Sequence, residues 1–352
     1  MEFKYHNPIC SLIVKTDMLK EASERTVPNG DYSMPLARNL PLVSVVVPAF
    51  NAETTLRDCL DALVAQDFPK HEYELIVVDN LSTDTTWSII QSYGSLIQGL
   101  QETGVQSSYA ARNVGVLASR GQLIAFTDAD CVPNRSWLRL LVENFTRPEV
   151  GCVAGEVLPF RSETAVEKFS SQAGILRQRS TLIHRYRPYA QTANLIIRRR
   201  VFEQIGLFNS TLKSGGDADF CWRMQARSDW TFCFNDAAVV LHHHRSTVAG
   251  LWKQYVRYGQ GHADLELLYN DYRERALTTM KLCVRKLIKL GRYAVRCMIS
   301  ILLMKKDRRK NFDALNFVFF DLVRHVAYAC GKFRGSRKNS STSVVMESAP
   351  RR

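Results

Sequence analysis

The sequence contains no stretch of about twenty apolar residues free of charge, which a helix needs to cross a bilayer, and basic residues interrupt even its longest amphipathic segment. It also lacks any Cys-x-x-Cys pair. Its nine cysteines, an odd number, stand apart at 10, 59, 131, 152, 221, 233, 283, 297 and 330, a pattern of reduced thiols rather than of a disulfide framework. Residues Met1-Glu2-Phe3-Lys4-Tyr5-His6-Asn7-Pro8 lack the charged and apolar regions of a secretory leader, so a cytoplasmic location is expected. An acidic excess is missing as well. The net charge is +13, yet from Asp271 onward there are 20 Lys and Arg against 6 Asp and Glu, which leaves 27 against 28 in the first 270 residues. A near-neutral body argues against a nucleic-acid groove, and any attraction to an anionic surface falls in the last quarter. No specific nucleic-acid partner is expected.

What is present is a chain of 352 residues, 46% hydrophobic, long enough for one large domain or two ordinary ones. Its most informative stretch is Leu123-Ile124-Ala125-Phe126-Thr127-Asp128-Ala129-Asp130. Five apolar or β-branched residues run into two carboxylates, and Cys131-Val132-Pro133-Asn134 then ends the strand. In an open α/β sheet, ligands bind outside the carboxyl ends of strands. Side chains i and i+2 share a face in extended chain, so Asp128 and Asp130 can point together. Such hard oxygen ligands suit Mg²⁺ or Mn²⁺. The alternative is a turn in which Asp caps the helix beginning near Asn134.

The run Leu42–Val47 reads as a strand covered on both faces and stopped by Pro48. A helix follows with Leu56, Cys59, Leu60, Leu63 and Val64 at helical spacing, capped by Thr54 or Asn51. Tyr73–Val78 is a second strand, ending at Asp79-Asn80, and Ser82-Thr83-Asp84 opens a helix to about Ser92. This βαβα order with short links predicts an α/β fold, a Rossmann-like and mostly parallel sheet flanked by helices. Further helices are expected over Ser108–Ser119 and from Trp137, with strands at Leu123–Thr127, Val150–Gly155 and Ala193–Ile197. Residues 160–190 read as a mobile or substrate-facing insertion.

Gly215-Gly216-Asp217 precedes a helix through Trp222 and Met224. The glycines permit unusual backbone angles, and Asp217 either caps that helix or serves as a base. Trp230–Phe234 and Ala238–Leu241 read as two strands, the latter running into His242-His243-His244. There 242 and 244 share a face, so His242 is either a metal ligand or an ordinary hydrogen-bonded side chain. From Leu277 an amphipathic helix places Val284, Leu287, Ile288, Val295 and Ile299 on one arc, with Arg285, Lys289 and Arg292 beside it. It either packs on the body or lies on an anionic membrane through residues 277–310. After Gly331 the chain is basic, Ser-rich and expected to be disordered.

In this order, several segments resemble the family 2 glycosyltransferases with the GT-A fold, nucleotide-diphospho-sugar transferases. They are Val45–Glu53, Ile76–Asn80, Ala111–Gly115, Phe126–Asp130, Gly206–Asn209, Gly215–Arg223, His242–Arg245 and Tyr258–Gly261. The resemblance covers about residues 43–262. The implied organisation is an extension over 1–40 and a GT-A domain over 41–262, with a nucleotide half at 41–132 and an acceptor half at 133–262. A helical C-terminal region over 263–332 and a tail over 333–352 follow. It implies that Pro48, Ala49, Phe50 and Asn51 line the nucleoside with Glu53 nearby, that Asp79 accepts a hydrogen bond from the base, and that Arg112 approaches the donor. It further implies that Asp128 and Ala129 contact the donor, that Asp130, Asp128 and His242 hold Mg²⁺ or Mn²⁺, and that Asp217 is the base of an inverting transfer. The expected partners are a nucleotide-diphosphate sugar, a UDP-sugar foremost, and a glycan or glycolipid acceptor. Single-sugar transfer is favoured, since Gln254-Tyr255-Val256-Arg257-Tyr258 matches the processive Q-x-x-R-W element only loosely. Gly216 stands where many relatives have Glu, so a second acid beside Asp217 is missing. The rival reading is a catalytically silent protein of the same fold that binds a nucleotide sugar or anchors a complex at the membrane.

Overall fold

Strand β1 (Val43–Ala49) is buried at every position, as its β-branched run requires. The fold is described from a computed structural model, covering residues 43–269, 271–272, 284–292, 294–295, 299 and 308–347, with side chains to 336. In chain order β1 is followed by α1 (Leu56–Val64), β2 (Tyr73–Asp79), α2 (Thr86–Ser92), β3 (Gln98–Gln101), α3 (Ser108–Ala118), β4 (Leu123–Thr127), β5 (Cys131–Pro133) and α4 (Trp137–Val142). Then come β6 (Val150–Pro159), α5 (Ala165–Gln172), α6 (Gln178–Leu182), β7 (Asn194–Arg198), α7 (Arg199–Ile205), α8 (Gly216–Arg227), β8 (Thr231–His242), α9 (Val248–Leu268) and α10 (Arg308–Glu347). Residues 284–292 are also helical.

The eight strands form one sheet in the order β3-β2-β1-β4-β7-β6-β8-β5. The first four run parallel, with Val43 opposite Tyr73 and Leu123. Beyond β4 the sheet changes character: β7 is antiparallel to β4 and β6, and β5 is antiparallel to β8. The expectation of parallel strands therefore holds for the first half. Apolar side chains of β1, β2, β4 and β6 pack with α1 and α4 in a core that includes Leu60, Trp137 and Val153. Gly115 lets α3 approach the sheet, because a Cβ there would lie 2.3 Å from Val46 Cγ1.

Several local expectations need correction. Pro48 does not end β1 but lies within it, opposite Val78. Pairing with β4 stops at Val46, so at Pro48 the strand pairs on one side only, which a residue without an N–H tolerates. Asn51 does not cap α1, whose N-cap Thr55 carries no side-chain hydrogen bond. Asn51 turns the chain at φ 46° and gives its side chain to Thr83 instead. The two strands expected between 230 and 241 are one continuous strand, β8. Strand β3 carries no apolar run, and sequence reading passes it over. Residues 131–133 re-enter the sheet as β5 against β8. α10 is helical through Glu347, past Gly331 where disorder is expected, because a nucleated helix gains one hydrogen bond for each further residue ordered. The extension over 1–40, and residues 277–283, 293, 296–298 and 300–307 of the amphipathic segment, lie outside the described residues.

The chain forms two compact units. Among the described residues, the first comprises 43–158, 176–211 and 217–242, and the second 159–175, 212–216 and 243 onward. The second unit is built on α9 and α10, with Phe169 of α5 packed against Phe317 and Phe320. No helix among the described residues is long and apolar enough to cross a membrane. The described cysteines are free thiols, five of them buried.

Candidate active site

The site lies in the first unit, at the carboxyl ends of the parallel strands. β1 delivers Ala49, which is buried, and Phe50, which is 49% exposed. β2 delivers Asp79, a buried residue whose Oδ1 has no hydrogen-bond partner among the described residues. Leaving a buried carboxylate oxygen unpaired costs roughly 1–3 kcal/mol, and this atom stands open to a further donor. Asn51 and Glu53 stay close by but brace the neighbouring loop. The Asn51 N–H donates to Ser82 Oγ at 2.9 Å, and its Oδ1 accepts from Thr83 N–H at 2.8 Å. Glu53 Oε2 accepts from Thr85 Oγ1 at 2.9 Å. They hold the rim against the start of α2, and Ser82, Thr83 and Thr85 are partners that sequence reading does not name.

β4 ends at Thr127, and the Cys131 N–H donates to Asp128 C=O at 2.9 Å. This tight turn places Asp128, Ala129 and Asp130 before β5. Asp128 Oδ1 pairs with the Arg112 guanidinium, which α3 buries and which stacks 5.3 Å over the Tyr109 ring. Burial pushes the Asp128 carboxyl above the usual range; Arg112 opposes the shift, and Asp130 and Asp217 add to it. Arg112 is itself held above its ordinary value: burial works against its charge, and Asp128, Tyr109 and Asp217 outweigh it.

His242 pairs across the sheet with Cys131, which brings its Nε2 3.5 Å from Asp130 Oδ2. The ligand atoms of Asp128, Asp130 and Cys131 lie within 4.8 Å of one another. The Cys131 thiol is pushed well up by burial and by the adjacent Asp130 and Asp128, and sulfur is a soft ligand poorly matched to a hard cation. What remains is a pair of carboxylates with His242 alongside, a donor set that fits Mg²⁺ or Mn²⁺.

Asp217 reaches the same place from far along the chain. Gly215 sits at φ +83°, an angle natural to glycine, and the chain turns there into α8 with Asp217 in its first turn. The Tyr109 hydroxyl donates to Asp217 Oδ1, and Thr192 N–H donates to Oδ2 at 3.3 Å. Asp219, by contrast, is committed to Arg223 at 3.0 Å. Tyr109 and Arg112 therefore join Asp217 to Asp128 through one helical turn of α3. Neither Tyr109 nor Thr192 is named by sequence reasoning. The i, i+3 spacing of Tyr109 and Arg112 is a signal for the first; the second has none. Asn113 explains the rest of its motif: it accepts from Phe208 N–H at 3.0 Å and donates to Phe208 C=O at 2.9 Å, anchoring the 206–209 loop. Thr192 is held by a buried amide set, in which Gln178 Oε1 accepts from Gln191 N–H at 2.9 Å and Trp137 Nε1 donates to Asn194 Oδ1 at 2.8 Å.

The arrangement gathers an unpaired buried acceptor, two carboxylates close enough to share a cation and a third, hydrogen-bonded carboxylate reached through α3. Comparison with known proteins follows the same line. The sequence pattern described as Glycosyl transferase family 2 matches residues 44–206. The chain is 34% identical over 240 residues to Glycosyltransferase AglE of Haloferax volcanii, covering 66% of this chain and 77% of that protein. It is 28% identical over 236 residues to Pre-mycofactocin glycosyltransferase of Mycobacterium tuberculosis, covering 65% of this chain and 48% of the relative, about half its length. Among solved structures it is similar to the mannosyltransferase PcManGT from Pyrobaculum calidifontis in complex with GDP-Man and Mn2+, with a TM-score of 0.55 at 18% identity, covering 84% of this chain and 87% of that one. This last likeness is one of fold.

Proposed function

The chain belongs to glycosyl transferase family 2 and has the GT-A fold, and on that premise we propose that it is an inverting, metal-dependent transferase. It moves one sugar per encounter from a nucleotide-diphosphate sugar to a hydroxyl of a glycan or glycolipid. The observation that carries this reading is the Tyr109–Arg112 bridge, which sets Asp217 beside Asp128 although the two are far apart in sequence.

Asp79 accepts from a ring N–H of the base, at the end of the same strand edge as Ala49 and Phe50. Uracil offers one such donor, N3–H, and guanine offers N1–H with an exocyclic amine beside it, so guanosine donors belong beside the expected UDP-sugars, as the GDP-Man of PcManGT also suggests. Asp128 and Asp130, with His242 beside them, would hold the divalent ion, which when bound neutralises charge on the leaving diphosphate. Arg112 opposes the upward push that burial gives the Asp128 carboxyl and holds it in place. Asp217 takes the proton of the acceptor hydroxyl as that oxygen approaches the anomeric carbon from the face opposite the leaving group, general-base catalysis in an in-line geometry. The Tyr109 hydroxyl and Thr192 N–H fix the carboxylate's direction.

Single transfer agrees with the roles of the 254–258 segment. Gln254 Nε2 donates to the Tyr258 hydroxyl at 2.9 Å, and Arg257 stacks on Tyr258 at 5.7 Å. Peripheral attachment to the inner face of the membrane is supported by Val284, Leu287 and Ile288, which are 51%, 55% and 60% exposed on the helical segment 284–292. The test is a thermal-shift and transfer screen of nucleotide sugars with and without Mn²⁺. A metal-dependent donor whose transfer disappears in Asp217→Asn, with donor affinity kept, is the expected result; equal loss of donor affinity would remove Asp217 from the role of base.

A further inference from the structure

The segment 185–192 reaches Asp217 along the flank of α8. Thr192 N–H meets Asp217 Oδ2 at 3.3 Å. Further back, Ala190 N–H donates to Cys221 Sγ at 3.5 Å, and Pro188 C=O accepts from Gln225 Nε2 at 2.7 Å. Arg187 C=O accepts from Trp222 Nε1 at 3.1 Å. The segment is thus pinned to α8 at four places, and Arg187 stands level with Trp222. Five residues of helix rise about 7.5 Å, which separates Asp217 from Trp222 along the axis of α8.

Two guanidinium groups crown this segment. Arg185 is exposed and Arg187 half-buried. Some arginines of this unit are neutralised, Arg179 by Asp236 at 2.6 Å, Arg223 by Asp219 at 3.0 Å and Arg120 by Glu74 at 2.9 Å. No Asp or Glu pairs with Arg185 or Arg187 among the described residues. Arg187 is nevertheless held in position. Its guanidinium lies 5.4 Å over the Tyr186 ring, and that ring packs edge-on against Trp222 at 4.8 Å. Cations fixed on an aromatic support, yet without a counter-charge, are prepared for an anion that comes with a ligand.

We infer that Arg185 and Arg187 recognise the acceptor, and that the acceptor carries a phosphate group close to the hydroxyl that is glycosylated. This rests on the transferase reading with Asp217 as base. Arginine forks bind phosphate oxygens in pairs, and two of them match the charge of a phosphomonoester or diphosphate. A lipid-linked phosphate and a phosphorylated glycan present this same group.

The test measures binding to the full chain by calorimetry, with UDP or GDP and Mn²⁺ at saturation so that the donor's phosphate site is filled. The probes are octyl phosphate and glucose 6-phosphate, against octyl glucoside and glucose. Each phosphate should bind at least tenfold tighter than its neutral counterpart, and Arg185→Gln/Arg187→Gln should erase that margin. Arg187→Lys should keep part of it, and hydrolysis of the nucleotide sugar should be unchanged in all variants. A stronger response to octyl phosphate supports a lipid-linked acceptor, and a stronger response to glucose 6-phosphate a phosphorylated glycan. Equal binding of neutral and charged probes, or an undiminished margin in the double variant, overturns the inference. Phosphate binding without sugar transfer from any nucleotide sugar instead overturns the transferase premise, and with it the acceptor role.

Discussion

Gly331→Ala should destabilise the second unit, whereas Gly291→Ala should stabilise it, although both add one methyl group to a helix. At 331 the new Cβ would lie 2.0 Å from Val256 C=O oxygen and within 2.9 Å of two further backbone atoms of α9. Ordinary contact begins near 3.4 Å, so α9 and α10 must part by more than about 1 Å, and a gap of that size forfeits up to half of each dispersion contact along the crossing. Overpacking of this kind costs about 1–3 kcal/mol, and a clash with backbone belongs at the upper end. The gain in helix propensity offsets about 1 kcal/mol, leaving a loss of about 2 kcal/mol. Gly291 has nothing within 4 Å of the added atom, so only the propensity gain of about 1 kcal/mol remains. Urea titration of the full-length variants, followed by far-ultraviolet circular dichroism, gives both numbers. Equal midpoints for Gly331→Ala and wild type would refute the close helix crossing, and a less stable Gly291→Ala would refute the open surroundings of residue 291.

Tyr109→Phe removes a hydrogen bond to a charged acceptor, worth about 1.5–3 kcal/mol; kcat should fall about 10- to 150-fold with the donor Kd unchanged, read by steady-state kinetics and calorimetry. Asp79→Ala should weaken nucleotide binding without changing metal dependence in the same titration, and an unaltered Kd would detach Asp79 from base recognition. Asp321 is opposed by its burial but held below the usual carboxylate range by Lys286, Arg324 and His325. Its folded pKa is depressed, so its contribution is full above about pH 4, the unfolded value, and fades as pH falls below it. Asp321→Asn should lower the denaturation midpoint at neutral pH and flatten its decline in acid, and parallel curves for the two proteins would contradict this. Leu287→Asp/Ile288→Asp should abolish sedimentation with phosphatidylglycerol vesicles, while salt alone should only weaken it.

The parallel half of the sheet is legible because its strands are buried on both faces and read as continuous apolar runs, as at Val43–Val47 and Leu75–Val78. β3 is not, since Gln98 and Gly99 are exposed at a sheet edge and owe their pairing to β2 rather than to their own pattern. The carboxylates at 79, 128, 130 and 217 announce themselves by standing at the ends of periodic segments. Tyr109 and Thr192 do not: one sits on a helix whose apolar positions look like ordinary core, and the other contributes only a backbone N–H, which every residue but proline possesses. Asn51 shows the opposite error, a cap by residue type that tertiary contacts redirect to Thr83.

β4 has a parallel neighbour on one side and an antiparallel neighbour on the other, and the acids at 128 and 130 follow directly from its last residue. That seam has an evolutionary corollary. Under the proposed division of the site, drift in the strands before it would retune which nucleotide is accepted, drift after it would retune which alcohol is glycosylated, and neither lineage of change would have to relocate the carboxylates between them.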